Sequence, residues 1–330
     1  MSDYFIEGQK ALKILKRDIE MNTVRQGYIF EGSEGIGKKT TARLFAQMAL
    51  CTSDNKPCGE CSNCRFFKAG THPDYFVIDD SPVNIATVRN LNDELFVKPL
   101  IADRKIFVIE HADEMNVAAQ NAFLKSFEEP PKYAVIILIA SSTKKLLDTI
   151  LSRGTKIPFS PFSEKDIQTF VENKYDLTGS RSAFVSLYSS GIVGRAIEIT
   201  ESEEFFKKRD EIIKAAAMLT GDKISILSVA DAFGAKGRGL PSDYEMFFDV
   251  FTGFFRDVAV FKNSGRIINS DYKSLVEDVS AKMREASARG VVEIASKVKA
   301  EINSSMKYDL WITNMLINCW EEIHGTGNRC

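Results

Sequence analysis

The chain has 330 residues, of which 44% are hydrophobic and 27% are charged, and its formal net charge is −2. This length suits two or three domains better than one core, and the charge is unlike that of a strongly basic nucleic-acid-binding protein. Any contact with DNA is therefore expected to be local or shared with partners. The sequence has neither a run of about 18 apolar residues, which a transmembrane helix needs, nor the apolar segment of an N-terminal signal peptide. We expect a cytoplasmic protein with no membrane partner.

The first half of the chain alternates between strand-like and helix-like segments. Short apolar runs predict strands at Gly27–Gly32, Tyr75–Asp79, Arg104–Glu110 and Tyr133–Ser141. The segments between them have the 3.6-residue periodicity of helices, and they lie at Lys38–Cys51, Ile85–Leu95 and Ala118–Glu129. Strands that alternate with helices predict an α/β fold with a parallel sheet and right-handed crossovers.

Beyond Phe162 the strand-like pattern ends. Short helices are predicted at Ser163–Asp176, Arg181–Ser189 and Gly194–Glu201, and longer amphipathic helices follow from Phe205. We therefore predict three domains. They are an α/β core over residues 1–160 with an insertion at 51–64, a small helical lid over residues 161–203, and an all-α C-terminal domain over residues 204–330.

A glycine-rich segment, GSEGIGKK, joins the first predicted strand to the first predicted helix. In this context it fits the phosphate-binding P-loop, in which Gly32, Gly35 and Gly37 turn backbone N–H groups towards phosphate oxygens and Lys38 reaches the outer phosphates. The segment therefore predicts an ATP site. The alternative is a glycine-rich turn that binds nothing.

Two positions that serve metal-assisted hydrolysis are altered. A P-loop needs Ser or Thr after its lysine as a Mg²⁺ ligand, and this chain has Lys39 there, with Thr40 one residue too late. The acidic strand of an active ATPase ends in Asp-Glu, and this chain has Glu110 and His111. Glu110 still offers an oxygen to a metal, but His111 is a poor substitute for a carboxylate base. We expect that ATP binds without useful hydrolysis.

Four cysteines, Cys51, Cys58, Cys61 and Cys64, have the spacing C-x6-C-x2-C-x2-C. In a reducing compartment such a cluster favours a metal over disulfides, and four thiolates form a closed, structural Zn²⁺ site. An iron–sulfur cluster is the alternative, although the ferredoxin pattern places its fourth cysteine downstream and before a proline. Bound zinc or a brown colour distinguishes the two.

The order of these features resembles a known family. The cysteine cluster is followed by IATVRNLNDELFVKP, by AQNAFLKSFEEP (Ala119–Pro130) and by TILSRG, and FFRDVAVFK (Phe254–Lys262) lies near the C-terminus. This arrangement resembles the delta-prime subunits of the bacterial DNA polymerase III clamp loader, in the AAA+ superfamily. The resemblance is densest over Phe5–Phe162, and Ala119–Pro130 is similar to the family's A-x-N-A-L-L-K-x-L-E-E-P.

The resemblance implies roles for two arginines. Ser152 and Arg153 match the start of the family's Ser-Arg-Cys motif, whose arginine acts in trans on the nucleotide of a neighbouring subunit, as arginine fingers do. Gly154 replaces the family's Cys. Arg195, in GIVGRA, resembles the second sensor arginine of the lid. A lone arginine after a helix is otherwise a surface charge or a cap contact.

Three functions are compatible with these features. The first is an assisting subunit that joins gamma/tau and delta subunits in a pentameric ring and helps to load the sliding clamp onto primed DNA. The second is an active ATPase motor subunit of the same loader, since the family's motor subunits also carry the four-cysteine insertion. Lys39 and His111 argue against it. The third is a zinc-stapled interaction protein without a nucleotide role.

Overall fold

The computed structural model describes residues 9–234, 241, 243–263, 265–302 and 307–325. These residues form two compact units. The first comprises the described residues up to Phe170 together with Ser189–Arg195, and the second comprises Val171–Tyr188 and the described residues from Ala196 onward. Within the described ranges, no helix is both long and apolar enough to cross a membrane.

The first unit contains a five-stranded sheet in which every pair of neighbouring strands is parallel. Its strands are β1 (Gly27–Glu31), β2 (Tyr75–Ile78), β3 (Lys105–Ile109), β4 (Ala134–Ala140) and β5 (Thr155–Pro158), in the order β2-β3-β4-β1-β5. The strand β1 is thus hydrogen-bonded on both sides, with Gly27 opposite Ile136 of β4 and Tyr28 opposite Thr155 of β5. The parallel α/β architecture predicted from the sequence is confirmed.

Helices precede and connect the strands of this unit. They are α1 (Lys10–Glu20), α2 (Lys38–Leu50), α3 (Ser62–Ala69), α4 (Ile85–Leu95), α5 (Val117–Glu128) and the single turn α6 (Asp148–Leu151). Asparagine side chains fix where α4 and α5 begin, because Asn84 Oδ1 accepts from the N–H groups of Ala86 and Thr87, and Asn116 Oδ1 accepts from that of Ala119. Short 3₁₀ turns lie at Ala112–Glu114 and Thr143–Lys145.

The sheet is buried on both faces, as apolar strands of a parallel sheet are. Successive side chains of a strand point to opposite faces, so that Tyr28 and Phe30 lie in one hydrophobic cluster with Phe45 of α2, while Ile29 lies in another with Phe123 of α5. All seven residues of β4 are buried. The two clusters, one on each face of the sheet, therefore fix the positions of the strands and of the loops that follow them.

Nine further helices follow the sheet, at α7 (Glu164–Tyr175), α8 (Gly179–Tyr188), α9 (Val193–Glu201), α10 (Glu203–Met218), α11 (Ser225–Ala232), α12 (Tyr244–Phe261), α13 (Lys273–Lys282), α14 (Glu285–Glu301) and α15 (Tyr308–His324) in the described residues. The short helices predicted between Ser163 and Glu201 are thereby confirmed. In the second unit, α12 packs against α10, α13 and α14, and α15 packs against α11 and α14. The core of this unit is rich in phenylalanine, including Phe248, Phe251, Phe254 and Phe255.

Several elements were not predicted. The strand β5 is short, ends in a proline and buries only Ile157, so it lacks an apolar run, and as an edge strand it tolerates Pro158. The helix α1 buries Ala11, Leu12 and Leu15 against the sheet, a pattern too brief to stand out among charged residues. The helix α3 lies inside the cysteine insertion.

Candidate functional site

The phosphate loop lies at the C-terminal end of β1, the edge at which ligands of open α/β sheets bind. It joins β1 to α2, as predicted. Gly35 and Gly37 have φ angles of 72° and 99°, a region that residues with a Cβ atom seldom adopt. The glycines at these two positions are therefore required by the backbone of the loop.

The first turn of α9 braces this loop. The N–H group of Gly194 donates to the Gly35 carbonyl at 2.9 Å, and a Cβ atom at position 194 would lie 3.0 Å from that carbonyl oxygen. Only a glycine allows such an approach without displacing the loop. Arg195 follows directly, so that the predicted sensor arginine lies beside the loop.

Lys38 is directed at its own loop. It is buried, and its Nζ donates to the carbonyls of Ser33, at 2.9 Å, and of Gly32. Burial lowers the pKa of Lys38, while the nearby Asp113 and Glu34 carboxylates oppose this shift. In a P-loop this ammonium binds phosphate. Here the Lys38 ammonium donates to two loop carbonyls instead, and a phosphate group would take their place.

Lys39 forms an ion pair with Glu110. The Lys39 ammonium contacts Oε2 of Glu110, the residue directly after β3, and the two side chains are 60% and 9% exposed. This carboxylate oxygen is buried and makes no hydrogen bond of regular geometry, so that the ion pair is its partner. The Lys39 ammonium therefore links the start of α2 to the end of β3. Thr40, the next residue of α2, is half-buried.

Other groups at this edge were missed by sequence reasoning. Asp113 Oδ2 accepts from the N–H groups of Ser141 and Ser142, both at 3.2 Å, and so ties the end of β3 to the end of β4. Glu31 Oε1 accepts from the N–H group of Thr143, at 2.9 Å, and from its hydroxyl, at 2.8 Å, and these bonds lower the pKa of Glu31. Neither pairing has a signal in sequence spacing, because the partners lie at the ends of different strands, 28 or more positions apart.

His111 has a left-handed backbone, with φ of 51°, and its Nδ1 lies 3.6 Å from Glu114 Oε1. The imidazole thus faces an acidic neighbour on the adjacent 3₁₀ turn. It offers no carboxylate with which to orient a water molecule for attack on phosphate.

The four predicted metal ligands are brought together. Cys51 Sγ lies 3.6 Å from that of Cys58 and 3.9 Å from that of Cys61, and Cys58 Sγ lies 4.0 Å from that of Cys64. All four sulfur atoms are within 4.8 Å of one another. Tetrahedral Zn²⁺–thiolate bonds of about 2.3 Å place sulfurs about 3.8 Å apart. The cluster therefore fits a four-coordinate metal ion.

Backbone and side-chain groups hold the cysteines in this arrangement. The N–H groups of Cys58, Cys61 and Cys64 point at sulfur atoms of the cluster, at 3.3–3.5 Å. Desolvation opposes ionisation of Cys61, but hydrogen bonds from Thr52 and Cys64 lower its pKa to about 6. Asn63, which lies between the third and fourth cysteines in sequence, is buried in α3, and its Nδ2 donates to the Leu50 carbonyl at 2.8 Å.

Arg153 lies in the connection from α6 to β5. Its Nη2 is 3.1 Å from Glu128 Oε1, its Nη1 donates to the Thr149 carbonyl at 3.0 Å, and its side chain is 41% exposed. Arg153 precedes β5, whereas the phosphate loop follows β1. Because β1 and β5 are parallel neighbours, both strands begin at one edge of the sheet and end at the other. Arg153 is therefore not brought to the phosphate loop of its own chain.

Comparison with known proteins supports the resemblance inferred from the sequence. Residues 8–163 match the family described as DNA polymerase III, delta subunit. The chain is 27% identical over 307 residues to the DNA polymerase III subunit delta' of Bacillus subtilis, which covers 90% of this chain and 91% of that protein. It is 40% identical over 132 residues to the delta' subunit of Pseudomonas aeruginosa, with 38% of this chain and 40% of that protein covered.

Among solved structures, the DNA clamp loader delta protein of Bacillus subtilis aligns with a TM-score of 0.39 and 13% sequence identity, over 94% of this chain and 99% of that chain.

Proposed function

We propose that the chain, which is similar to the delta' subunits of DNA polymerase III, serves as an assisting subunit of a clamp loader, with little or no ATP hydrolysis of its own. The observation that carries this proposal is the ion pair between Lys39 and Glu110. It occupies the place where an active P-loop ATPase holds Mg²⁺ between a hydroxyl and an acidic side chain.

Loss of hydrolysis is supported by both altered positions. Mg²⁺ requires oxygen ligands in near-octahedral geometry, and the Lys39 ammonium offers none while it neutralises Glu110. His111 stands where the water-orienting carboxylate belongs and faces Glu114. The purified chain is therefore expected to show no ATP turnover with DNA. Robust turnover that Lys38→Ala abolishes would instead establish the active motor subunit.

Arg153 is proposed to act in trans on the nucleotide of a neighbouring subunit. Its ion pair with Glu128 is a surface pair, and such pairs contribute about 0–1 kcal/mol, so a phosphate group can compete for the guanidinium. In the reconstituted loader, Arg153→Ala is expected to lower ATP turnover while assembly is retained. Arg104→Ala, just before β3, which two strands separate from β5 in the sheet, is the matched control. Unchanged turnover with Arg153→Ala removes this role.

The cysteine cluster is proposed to hold one structural Zn²⁺, with Cys51, Cys58, Cys61 and Cys64 as its ligands. A closed site of four thiolates leaves no position for a substrate, so its contribution is to the folding of the insertion. Elemental analysis should find one zinc per chain in a colourless protein. A brown protein with iron would establish the iron–sulfur alternative.

The proposed partners are gamma/tau and delta subunits in a pentameric ring, joined through the C-terminal helical domain over residues 204–330. The sliding clamp and primed DNA would be contacted through the complex. Co-purification with these subunits tests the assignment, and a truncated chain that lacks residues 204–330 should not co-purify. A full-length chain that binds none of them would favour the zinc-stapled interaction protein.

A further inference from the structure

The phosphate loop and Mg²⁺ do not fit one another in this chain. Lys39 stands at the position where a P-loop has its metal-binding hydroxyl. The nearby carboxylate that could bind Mg²⁺ in place of this hydroxyl, that of Glu110, is already paired with the Lys39 ammonium. The side chain of Glu110 is only 9% exposed, so that displacing Lys39 would leave a buried carboxylate without its counter-charge. The anion-binding features of the loop, by contrast, are intact, with glycines at positive φ and the N-terminus of the 13-residue helix α2.

We propose that Lys39 is the resident counter-cation of this loop, so that the loop takes a metal-free nucleoside polyphosphate and not its Mg²⁺ complex. The inference rests on the proposed function only for the premise that the loop is a nucleotide site.

The geometry of Lys39 suits this role. An ammonium has three donors, one contact is made with buried Glu110, and 60% of the Lys39 side chain is exposed. Lys39 is the second residue of α2, which begins where the loop ends. The remaining donors are therefore available to phosphate oxygens. Lys38 supplies a second cation at the same site once phosphate replaces the carbonyls of Gly32 and Ser33. Two fixed ammonium groups then balance the charge that Mg²⁺ balances elsewhere, and they repel a divalent ion.

A substitution that restores the hydroxyl makes the inference testable. Lys39→Thr removes the ammonium, frees Glu110 and supplies a Mg²⁺ ligand at the usual position. Lys39→Arg keeps the positive charge and provides no oxygen. Lys132→Thr makes the same change of charge just before β4, at the opposite edge of the sheet from the loop, and is the matched control.

The experiment is a titration of the full-length chain with a fluorescent ATP analogue, once in excess EDTA and once in excess Mg²⁺. The wild type, Lys39→Arg and Lys132→Thr are expected to bind equally well or more weakly in Mg²⁺. Lys39→Thr is expected to bind at least about tenfold more tightly in Mg²⁺ than in EDTA, which corresponds to one new charge-assisted contact.

Three results would overturn the inference: tenfold tighter binding by the wild type in Mg²⁺, no gain of Mg²⁺ dependence in Lys39→Thr, or no binding of the analogue by the wild type in either buffer. Thermal unfolding of each variant shows whether it is folded, and the wild-type comparison holds without any variant. None of these results affects co-purification or the Arg153→Ala assay, so that failure here is distinguishable from failure of the clamp-loader proposal.

Discussion

The Ile29 side chain fills the space in which a side chain at position 154 would begin. A Cβ atom added to Gly154 would lie 2.5 Å from Ile29 Cδ1 and 2.6 Å from its Cγ1, and Ile29 is fully buried in the sheet. This contact gives a physical reason for the departure from the Ser-Arg-Cys pattern, because glycine is the residue that fits beside isoleucine here. The connection that carries Arg153 is thus packed against β1 by its neighbour.

The first prediction concerns this contact. Gly154→Ala should reduce the free energy of unfolding by about 1–3 kcal/mol, because the added methyl group overpacks the contact with buried Ile29. Ile29→Ala alone should cost about 2–5 kcal/mol through the cavity that it leaves. In the Ile29→Ala background the added methyl group has room, so Gly154→Ala should then be close to neutral. Urea unfolding of the two single variants and the double variant measures the coupling. Additive losses would show that the two residues do not compete for space.

The second prediction concerns Asn63, which bonds the Leu50 carbonyl directly before Cys51 and lies between Cys61 and Cys64. It therefore fixes the first ligand relative to the other three. Asn63→Ala should weaken metal binding by about 10–100-fold, the usual effect of losing a group that orients ligands. Competition with a chromophoric chelator measures the change.

Lys68→Ala, on an exposed position of the same helix α3, is the control for the helix itself and should keep the wild-type affinity. If Asn63→Ala and Lys68→Ala hold the metal equally well, Asn63 does not orient the cluster.

The third prediction concerns pH. His72 is buried, its Nδ1 accepts from the Asp74 N–H group at 3.1 Å, and its Nε2 has no hydrogen-bond partner among the described residues. Burial lowers the pKa of His72, although Asp74 opposes the shift. The unfolded chain therefore binds the proton more readily, and stability falls as pH drops below about 6.5 by at most about 1.4 kcal/mol per pH unit.

His72→Asn tests this assignment, because an asparagine oxygen can accept from the N–H group two residues on without titrating. The difference in unfolding free energy between the wild type and His72→Asn should shift against the wild type between pH 8 and pH 5. A difference that stays constant over this range would mean that His72 is not the titrating group.

Much of the first unit could be predicted because its signals are local. The run from Tyr133 to Ser141 is apolar enough to indicate a doubly buried strand, and the glycines of GSEGIGKK indicate the loop that follows β1. The cysteine spacing likewise predicted the cluster that the structure brings together. Periodicity and spacing within a short segment carry this information without reference to the rest of the chain.

Contacts between distant segments could not be predicted in this way. The sequence indicated that Lys39 spoils a metal site, but not that it pairs with Glu110, 71 positions later, because the register of α2 against β3 is a property of the packed sheet. The strand β5 was missed for a related reason, since its pairing with β1 supplies the strand geometry that its composition does not favour. The roles of Asp113 and Asn63 also depend on which strand ends or helices come together.

The same applies to FFRDVAVFK, whose role in the second unit depends on residues far along the chain. Asp257 is fully buried and accepts from the N–H groups of Ile268, at 2.9 Å, and Asn269, at 2.7 Å, and from Asn269 Nδ2, at 2.8 Å. Asn269 Oδ1 in turn accepts from Arg209 Nη2 at 2.8 Å, and the buried Arg209 guanidinium lies 3.7 Å from the centre of the Phe184 ring. One carboxylate thus organises a buried polar network that connects α8, α10 and α12.

The fourth prediction follows from this network. Asp257→Ala leaves the backbone N–H groups of half-buried Ile268 and buried Asn269 without acceptors and releases the Asn269 side chain, so it should lower the free energy of unfolding by at least about 2 kcal/mol. Asp249→Ala is the matched control on the same helix α12, because Asp249 pairs with Lys299 at a half-exposed position, where an ion pair contributes about 0–1 kcal/mol. Guanidinium denaturation of both variants measures the difference. Equal losses of unfolding free energy would mean that Asp257 contributes no more than a surface charge. The larger loss expected for Asp257→Ala would show that the buried aspartate of FFRDVAVFK stabilises the helical unit.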